Sequence, residues 1–202
     1  MIQAVFFDFD GVLTRDRTGT LTTCRYLAEA TGIPFEQWRA AMEPYRAALA
    51  RGRATRDATW PAVCEALGRD IPRELLVRAF ESTPLDPAMF AFANSLARHG
   101  RLGIVTDNPK DRMDVVRNTL WLDRLFAPIV VSAEEGCIKD DPAIFQRPLA
   151  KAGAAAEQAV FIDNAKGNVE VARSVGLHGI YFDDRERDLA ALARELLVLG
   201  VG

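Results

Sequence analysis

VFFDFDGVLT, residues 5–14, sets two carboxylates, Asp8 and Asp10, directly behind an apolar, β-rich run and directly ahead of Gly11. Two readings compete. Asp-Gly after a strand is a turn signal, so the stretch could be one arm of a β-hairpin. Alternatively the strand is a buried member of a parallel sheet and its end carries chemistry, since ligands bind beyond the carboxyl ends of strands in open α/β sheets. The rest of the chain decides between them.

Residues 2–7 read as a short buried strand. From 16 to 85 the pattern changes to helices punctuated by glycine and proline, with no credible strand, which reads as a small all-helical insertion. Beyond it strands and helices alternate. Asp86 and Pro87 open a helix, and RLGIVT (101–106) reads as a strand. Asn108 and Pro109 open the next helix, PIVVS (128–132) is a third strand, and Asp141 with Pro142 starts another helix. AVFID (159–163) and HGIYF (178–182) are the last strands, each followed by a helix. Five strands separated by helices imply right-handed crossovers and a parallel sheet covered on both faces, an α/β fold. Asp8, Thr106 and Asp163 then stand at three separate strand ends, which a hairpin does not explain.

Composition narrows the function. A chain of 202 residues, 49% hydrophobic, can bury a substantial core. With 25 basic against 28 acidic residues, a net charge of -3, it has no basic field for nucleic acid or an anionic membrane. A local site must therefore capture any anionic ligand. Neither a secretory signal nor an apolar run near the ~20 residues needed to span a bilayer is present, so the expected location is the cytoplasm. Cys24, Cys64 and Cys137 are few and unevenly spaced, and read as reduced packing residues. His99 and His178 read as surface residues. Nothing bears on oligomeric state.

Four blocks in order, DFDGVLT (8–14), IVTDN (104–108), GCIKDDPAIF (136–145) and VFIDNAKGNVEVARSVG (160–176), resemble the haloacid-dehalogenase-like (HAD) superfamily of hydrolases. The resemblance implies a Rossmann-like three-layer sheet of order 5-4-1-2-3, which sets the strands ending in Asp163, Asp8 and Thr106 side by side. It also implies a catalytic core of residues 1–15 and 86–202 with a helical cap at 16–85. Residues 48–68 look like the cap of the subgroup containing the phosphatase domain of soluble epoxide hydrolases.

What the resemblance implies chemically is a Mg²⁺-dependent phosphatase acting on a small phosphate ester. Such an ester needs an in-line nucleophile, neutralised equatorial oxygens and a proton for its leaving group. Asp8 is the expected nucleophile, forming an aspartyl-phosphate, and Asp10 the acid for the leaving oxygen and base for water. Lys139 and the Thr106 hydroxyl are expected on the phosphoryl oxygens, with Gly11, Asp107 and Asn108 at the substrate. Mg²⁺ would take Asp8, the main-chain carbonyl of Asp10, and Asp163. Phosphomutase or dehalogenase chemistry and a non-catalytic regulatory or binding role on the same fold are the alternatives. Dehalogenation has no need of Asp10.

Three positions depart from the commonest family forms: Asp107 where Asn is frequent, Asp140 for a proline, and Asn164 for a second acidic residue. Two charges about 6 Å apart at an effective dielectric near 20 interact by roughly 3 kcal/mol, so an inward-facing Asp107 opposes phosphate binding unless it faces water or pairs with Lys110. In the cap, Phe35, Trp38, Tyr45 and Trp60 read as core, with one or two open to the cleft. Arg46, Arg51, Arg53 and Arg56 read as a solvated helix face or as a greeting for an anionic substrate.

Overall fold

The computed structural model describes residues 1–201. Its centre is a five-stranded parallel sheet of β1 (Ala4–Phe7), β2 (Arg101–Thr106), β3 (Ile129–Val131), β4 (Ala159–Asp163) and β5 (His178–Tyr181). The strands run in the order β3-β2-β1-β4-β5, the expected 5-4-1-2-3 seen from the other edge. Alternation along β1 shows why two helical layers are needed. Val5 and Phe7 enter one apolar cluster and Ala4 and Phe6 the other. The first is covered by α5 (Pro87–Leu96), α6 (Lys110–Leu120) and α10 (Leu189–Val198), through Met89, Met113 and Leu192 among others. The second is covered by α8 (Gln146–Ala152) and α9 (Lys166–Ser174), through Ala152 and Ala172. Both faces of each central strand leave water, which explains the near-continuous apolar runs.

Register fixes where chemistry can occur. Phe7 stands level with Ile104 of β2 and Ile162 of β4. Asp8, Thr106 and Asp163 therefore emerge together at the carboxyl edge of three adjacent strands. β3 is shorter than its sequence suggests, because Ser132 turns directly into the single-turn helix α7 (Ser132–Glu135).

Between β1 and β2 the chain forms α1 (Gly19–Thr31), α2 (Phe35–Ala50), α3 (Arg56–Ala66) and α4 (Glu74–Glu81). Thr18 caps α1 through the Leu21 N–H and Thr55 caps α3 through the Ala58 N–H. These helices bury an apolar cluster of their own, including Cys24, Leu27, Trp38, Trp60, Leu76 and Phe80. Trp38 and Trp60 stack with ring centroids 5.9 Å apart, and their indole N–H groups reach Thr31 Oγ1 and the Ile71 carbonyl. The two passages between this helical unit and the sheet meet in an antiparallel bridge, Thr14 to Leu85. Arg187 fastens them, donating to the Gly11 and Val12 carbonyls and pairing with Asp86. No helix among the described residues is long and apolar enough to cross a membrane.

Trp38 has no exposed surface, so truncating it empties the centre of the helical cluster. Trp38→Ala should lower the unfolding free energy by about 3–5 kcal/mol, read from the denaturant midpoint. An unchanged midpoint would show that the indole is not a packing element.

Candidate active site

The turn after β1 places both acidic groups of the opening motif. Asp8 caps it, accepting the Phe9 N–H on Oδ1 at 2.7 Å, and the Thr14 N–H closes the turn on the Phe9 carbonyl at 3.0 Å. Gly11 has φ +82°, and a Cβ there would stand 2.0 Å from Asn164 Nδ2. Glycine is needed twice over, for the left-handed backbone and for the close approach of the β4 loop. The Gly11 N–H already donates to Thr14 Oγ1, so the observed work of Gly11 is to shape the turn.

Lys139 lies beneath Asp8 with almost no exposed surface. Its Nζ stands 2.8 Å from Asp8 Oδ1 and 2.7 Å from Asp163 Oδ2, so one ammonium is shared by two carboxylates. Asp163 is otherwise held by the Ala165 N–H on Oδ1 and by Asn168 Nδ2 on Oδ2. Asp8 Oδ2 takes no hydrogen bond from the described residues, and Asp8 is part of the lining of the cleft. Burial pushes the Asp8 carboxyl well up, Lys139 pulls it back, and Asp163 and Asp10 push it up again. Burial disfavours the charged Lys139, but Asp163, Asp8 and Asp107 outweigh it and hold the ammonium above its ordinary range.

Asp107 turns inward, and its Oδ1 accepts the Lys139 main-chain N–H at 3.0 Å. It does not pair with Lys110, which reaches Asp114 instead. Asp107 thus anchors the loop that presents Lys139, although burial pushes its own carboxyl up against the pull of that cation. Asp140 points the other way, to Arg51 of α2 at 2.9 Å. Beside it Ser132 Oγ donates to the Ala50 carbonyl, so the end of α2 rests on the sheet side of the cleft.

Asp10 has a separate partner. Arg112, from α6, grips it with a two-pronged fork, Nη1 to Oδ2 and Nη2 to Oδ1, both at 2.8 Å. Asn108 completes the arrangement, donating from Nδ2 to Asp10 Oδ2 and Thr106 Oγ1 and accepting Arg112 Nη1 on Oδ1. Arg112 also reaches Thr83 Oγ1 at 3.4 Å, and Gly19 lies behind it, where a Cβ would be 2.3 Å from its Cζ. Arg112 and Asn168 were not among the residues singled out from sequence. Asn108 precedes α6 and Arg112 lies in its first turn, so no helical spacing marks the pair in the sequence.

These groups floor a cleft of about 810 Å³ roofed by α2 and α3. Met42, Ala47 and several arginines line the roof; Phe35, Trp38, Tyr45 and Trp60 do not, so the expectation that one or two aromatics open to the cleft is corrected. Packing with the helical cluster takes all four. His99 and His178 lie away, against Arg98 and the Glu157 carbonyl. Among the described residues no three His, Cys, Asp or Glu side chains converge on one point. The acidic side chains that converge are Asp8 and Asp163, since the carboxylate of Asp10 is turned to Arg112. At the floor and just beneath it four carboxylates, Asp8, Asp10, Asp107 and the fully buried Asp163, meet two cations, Lys139 and Arg112. That surplus of negative oxygen donors fits a hard divalent cation.

The haloacid dehalogenase-like hydrolase family model matches residues 2–176. The rat bifunctional epoxide hydrolase 2 is 26% identical over 96% of this chain and 38% of its own length. The chain spans well under half the length of the curated relatives it matches. A HAD-like family hydrolase from Porphyromonas gingivalis superposes with a TM-score of 0.77 at 22% identity, covering 97% of this chain and 98% of that one. A HAD family enzyme from Bacteroides thetaiotaomicron, solved with magnesium and inorganic phosphate, gives 0.75 at 17% identity, covering 95% and 99%. Both are likenesses of fold.

Removing Arg112 would strand a buried carboxylate. Arg112→Met should cost about 3–5 kcal/mol in denaturant unfolding, and adding Asp10→Asn should recover part of the loss. A single-variant loss below about 1 kcal/mol would show the pair to be screened by solvent.

Proposed function

The chain belongs to the haloacid dehalogenase-like hydrolases, and from that premise we propose that it is a Mg²⁺-dependent phosphatase of a small phosphorylated metabolite, working through an aspartyl-phosphate. One observation carries the reading: a single buried ammonium, Lys139, bridges Asp8, which lines the cleft, and Asp163 beneath it, while Asp8 Oδ2 takes no hydrogen bond from the described residues. A carboxylate so placed repels a phosphate dianion unless cations intervene. Lys139 supplies one, and a bound Mg²⁺, held by Asp8, Asp163 and the Asp10 carbonyl, would supply the rest of the neutralisation of phosphoryl oxygen. The B. thetaiotaomicron neighbour, crystallised with magnesium and phosphate, supports this choice of ligands.

In the proposed reaction Asp8 Oδ2 attacks phosphorus, the bond to the leaving oxygen breaks, and Asp10 gives that oxygen a proton. Asp10 then takes a proton from the water that hydrolyses the acyl phosphate, which returns Asp8 and releases phosphate. Thr106 and Lys139 hold the phosphoryl oxygens through both steps. Both Asp10 oxygens lie in the Arg112 fork, so the carboxyl must leave that fork to reach the substrate oxygen. The helical unit at 16–85 is assigned as the cap whose roof of α2 and α3 excludes water and meets the leaving group.

Hydrolysis of an aryl phosphate, followed with and without Mg²⁺, tests the proposal. Turnover should need the metal, vanish in Asp8→Asn, and fall by roughly 10²–10⁴ in Asp10→Asn. Wild-type rates in Asp8→Asn would remove the nucleophile from the mechanism, and full activity after exhaustive chelation would favour a metal-free reaction.

A further inference from the structure

Seven cationic side chains among the described residues line the cleft, and six are ion-paired. The exception is Arg56. Arg39 and Arg46 pair with glutamates one helical turn away, and Arg51 pairs with Asp140. Arg56, at the start of α3, is 8% exposed and has no carboxylate partner among the described residues. Its Nε is buried without any hydrogen bond. Its Nη1 meets only the sulfur of Met42 at 3.8 Å, a weak acceptor, and its Cζ lies 5.9 Å from the centre of the Phe80 ring. Asp111 is the acidic group whose field it feels most, but Asp111 faces Arg73 at 3.6 Å.

A guanidinium does not shed its proton, so burial leaves a permanent charge in apolar surroundings. Such a group destabilises the ligand-free protein, and a purely structural role would have provided it with a carboxylate. Arg56 instead lines the cleft whose floor, with Mg²⁺ bound, is proposed above to take a phosphoryl group. The fork of a guanidinium matches two oxygens of a carboxylate or phosphate.

We propose that Arg56 forms a second anion subsite in the roof of the cleft, so that the substrate is a phosphate ester bearing a further negative group on its leaving-group side. This inference rests on the phosphatase reading. It makes Arg56 a specificity-determining residue and separates it from Arg46, Arg51 and Arg53, its neighbours in sequence. A neutral alcohol as leaving group would leave the Arg56 charge unpaired in the complex.

Calorimetric titration with Mg²⁺ present and three non-hydrolysable probes tests it: propylphosphonate, 3-phosphonopropionate and propane-1,3-bisphosphonate. The wild type should bind at least one of the two-anion probes about tenfold or more tightly than propylphosphonate, and which one is favoured identifies carboxylate or phosphate as the second group. Arg56→Met should bring that ratio close to one, and Arg56→Lys should keep part of it. Unfolding of ligand-free Arg56→Met should occur at or above the wild-type midpoint, because an unpaired buried charge has gone. A lower midpoint would make Arg56 structural and overturn the subsite; should that variant fail to fold, a wild-type ratio in Arg56→Lys would overturn it equally. Equal affinity of the wild type for all three probes overturns the subsite and leaves the phosphatase reading standing. Binding of none of them overturns that reading, and the subsite with it.

Discussion

One ammonium held between two carboxylates organises the molecule. Asp8 and Asp163 come from the ends of adjacent parallel strands, and without a cation between them their repulsion in a buried setting would oppose the very register that brings them together. Lys139 reaches them from a third segment, fixed by Asp107 from beyond the end of β2 and lying over the Phe161 ring. A shift of one residue in the pairing of β1 with β4 would pull a carboxylate off the ammonium. With both faces of these strands apolar and buried, the ion triad adds a register constraint that hydrophobic patterning alone does not supply.

Charge at the floor is divided into two compartments. Lys139 serves Asp8 and Asp163, while Arg112 and Asn108 serve Asp10. The division keeps the acidic group two residues from Asp8 out of competition for Lys139, and it aims the two carboxyls in different directions from one short turn. The roof follows different rules. Its helices carry an independent apolar cluster, so side chains on the cleft face of α2 and α3 can change without disturbing the sheet. Asp140 shows how a departure from the common family pattern finds a use: in place of a loop proline it gives a carboxylate that ties α2 to the Lys139 loop through Arg51.

Much of this was legible in the chain itself. Short apolar runs ending in Asp8, Thr106 and Asp163 marked the strands, and proline and glycine punctuation marked the helices, because burial on both faces and capping both act locally. Trp38 and Trp60 read correctly as core for the same reason. Arg112 did not, since nothing in a helical pattern distinguishes a solvated arginine from one folded under a carboxylate 102 residues away. Arg56 was grouped with three neighbouring arginines, although it shares a helical stripe with buried Thr59, Trp60 and Val63 at spacings of three, four and seven. Charge suggested a surface there, and helix phase suggested the interior. Asp107 was ambiguous because its orientation depends on a loop that follows β3, far along the chain.

Gly19 and Arg112 cannot vary independently. The guanidinium that grips Asp10 fills the space where any side chain at position 19 would begin. A larger residue at the start of α1 would therefore displace the fork, and a shorter residue on α6 would remove the reason for glycine. The two positions should be inherited as a pair. A lineage that abandons this grip on Asp10 has to cross a state in which the carboxylate is unsupported or the helix is forced outward, a barrier to gradual change that neither position reveals when its substitutions are counted alone.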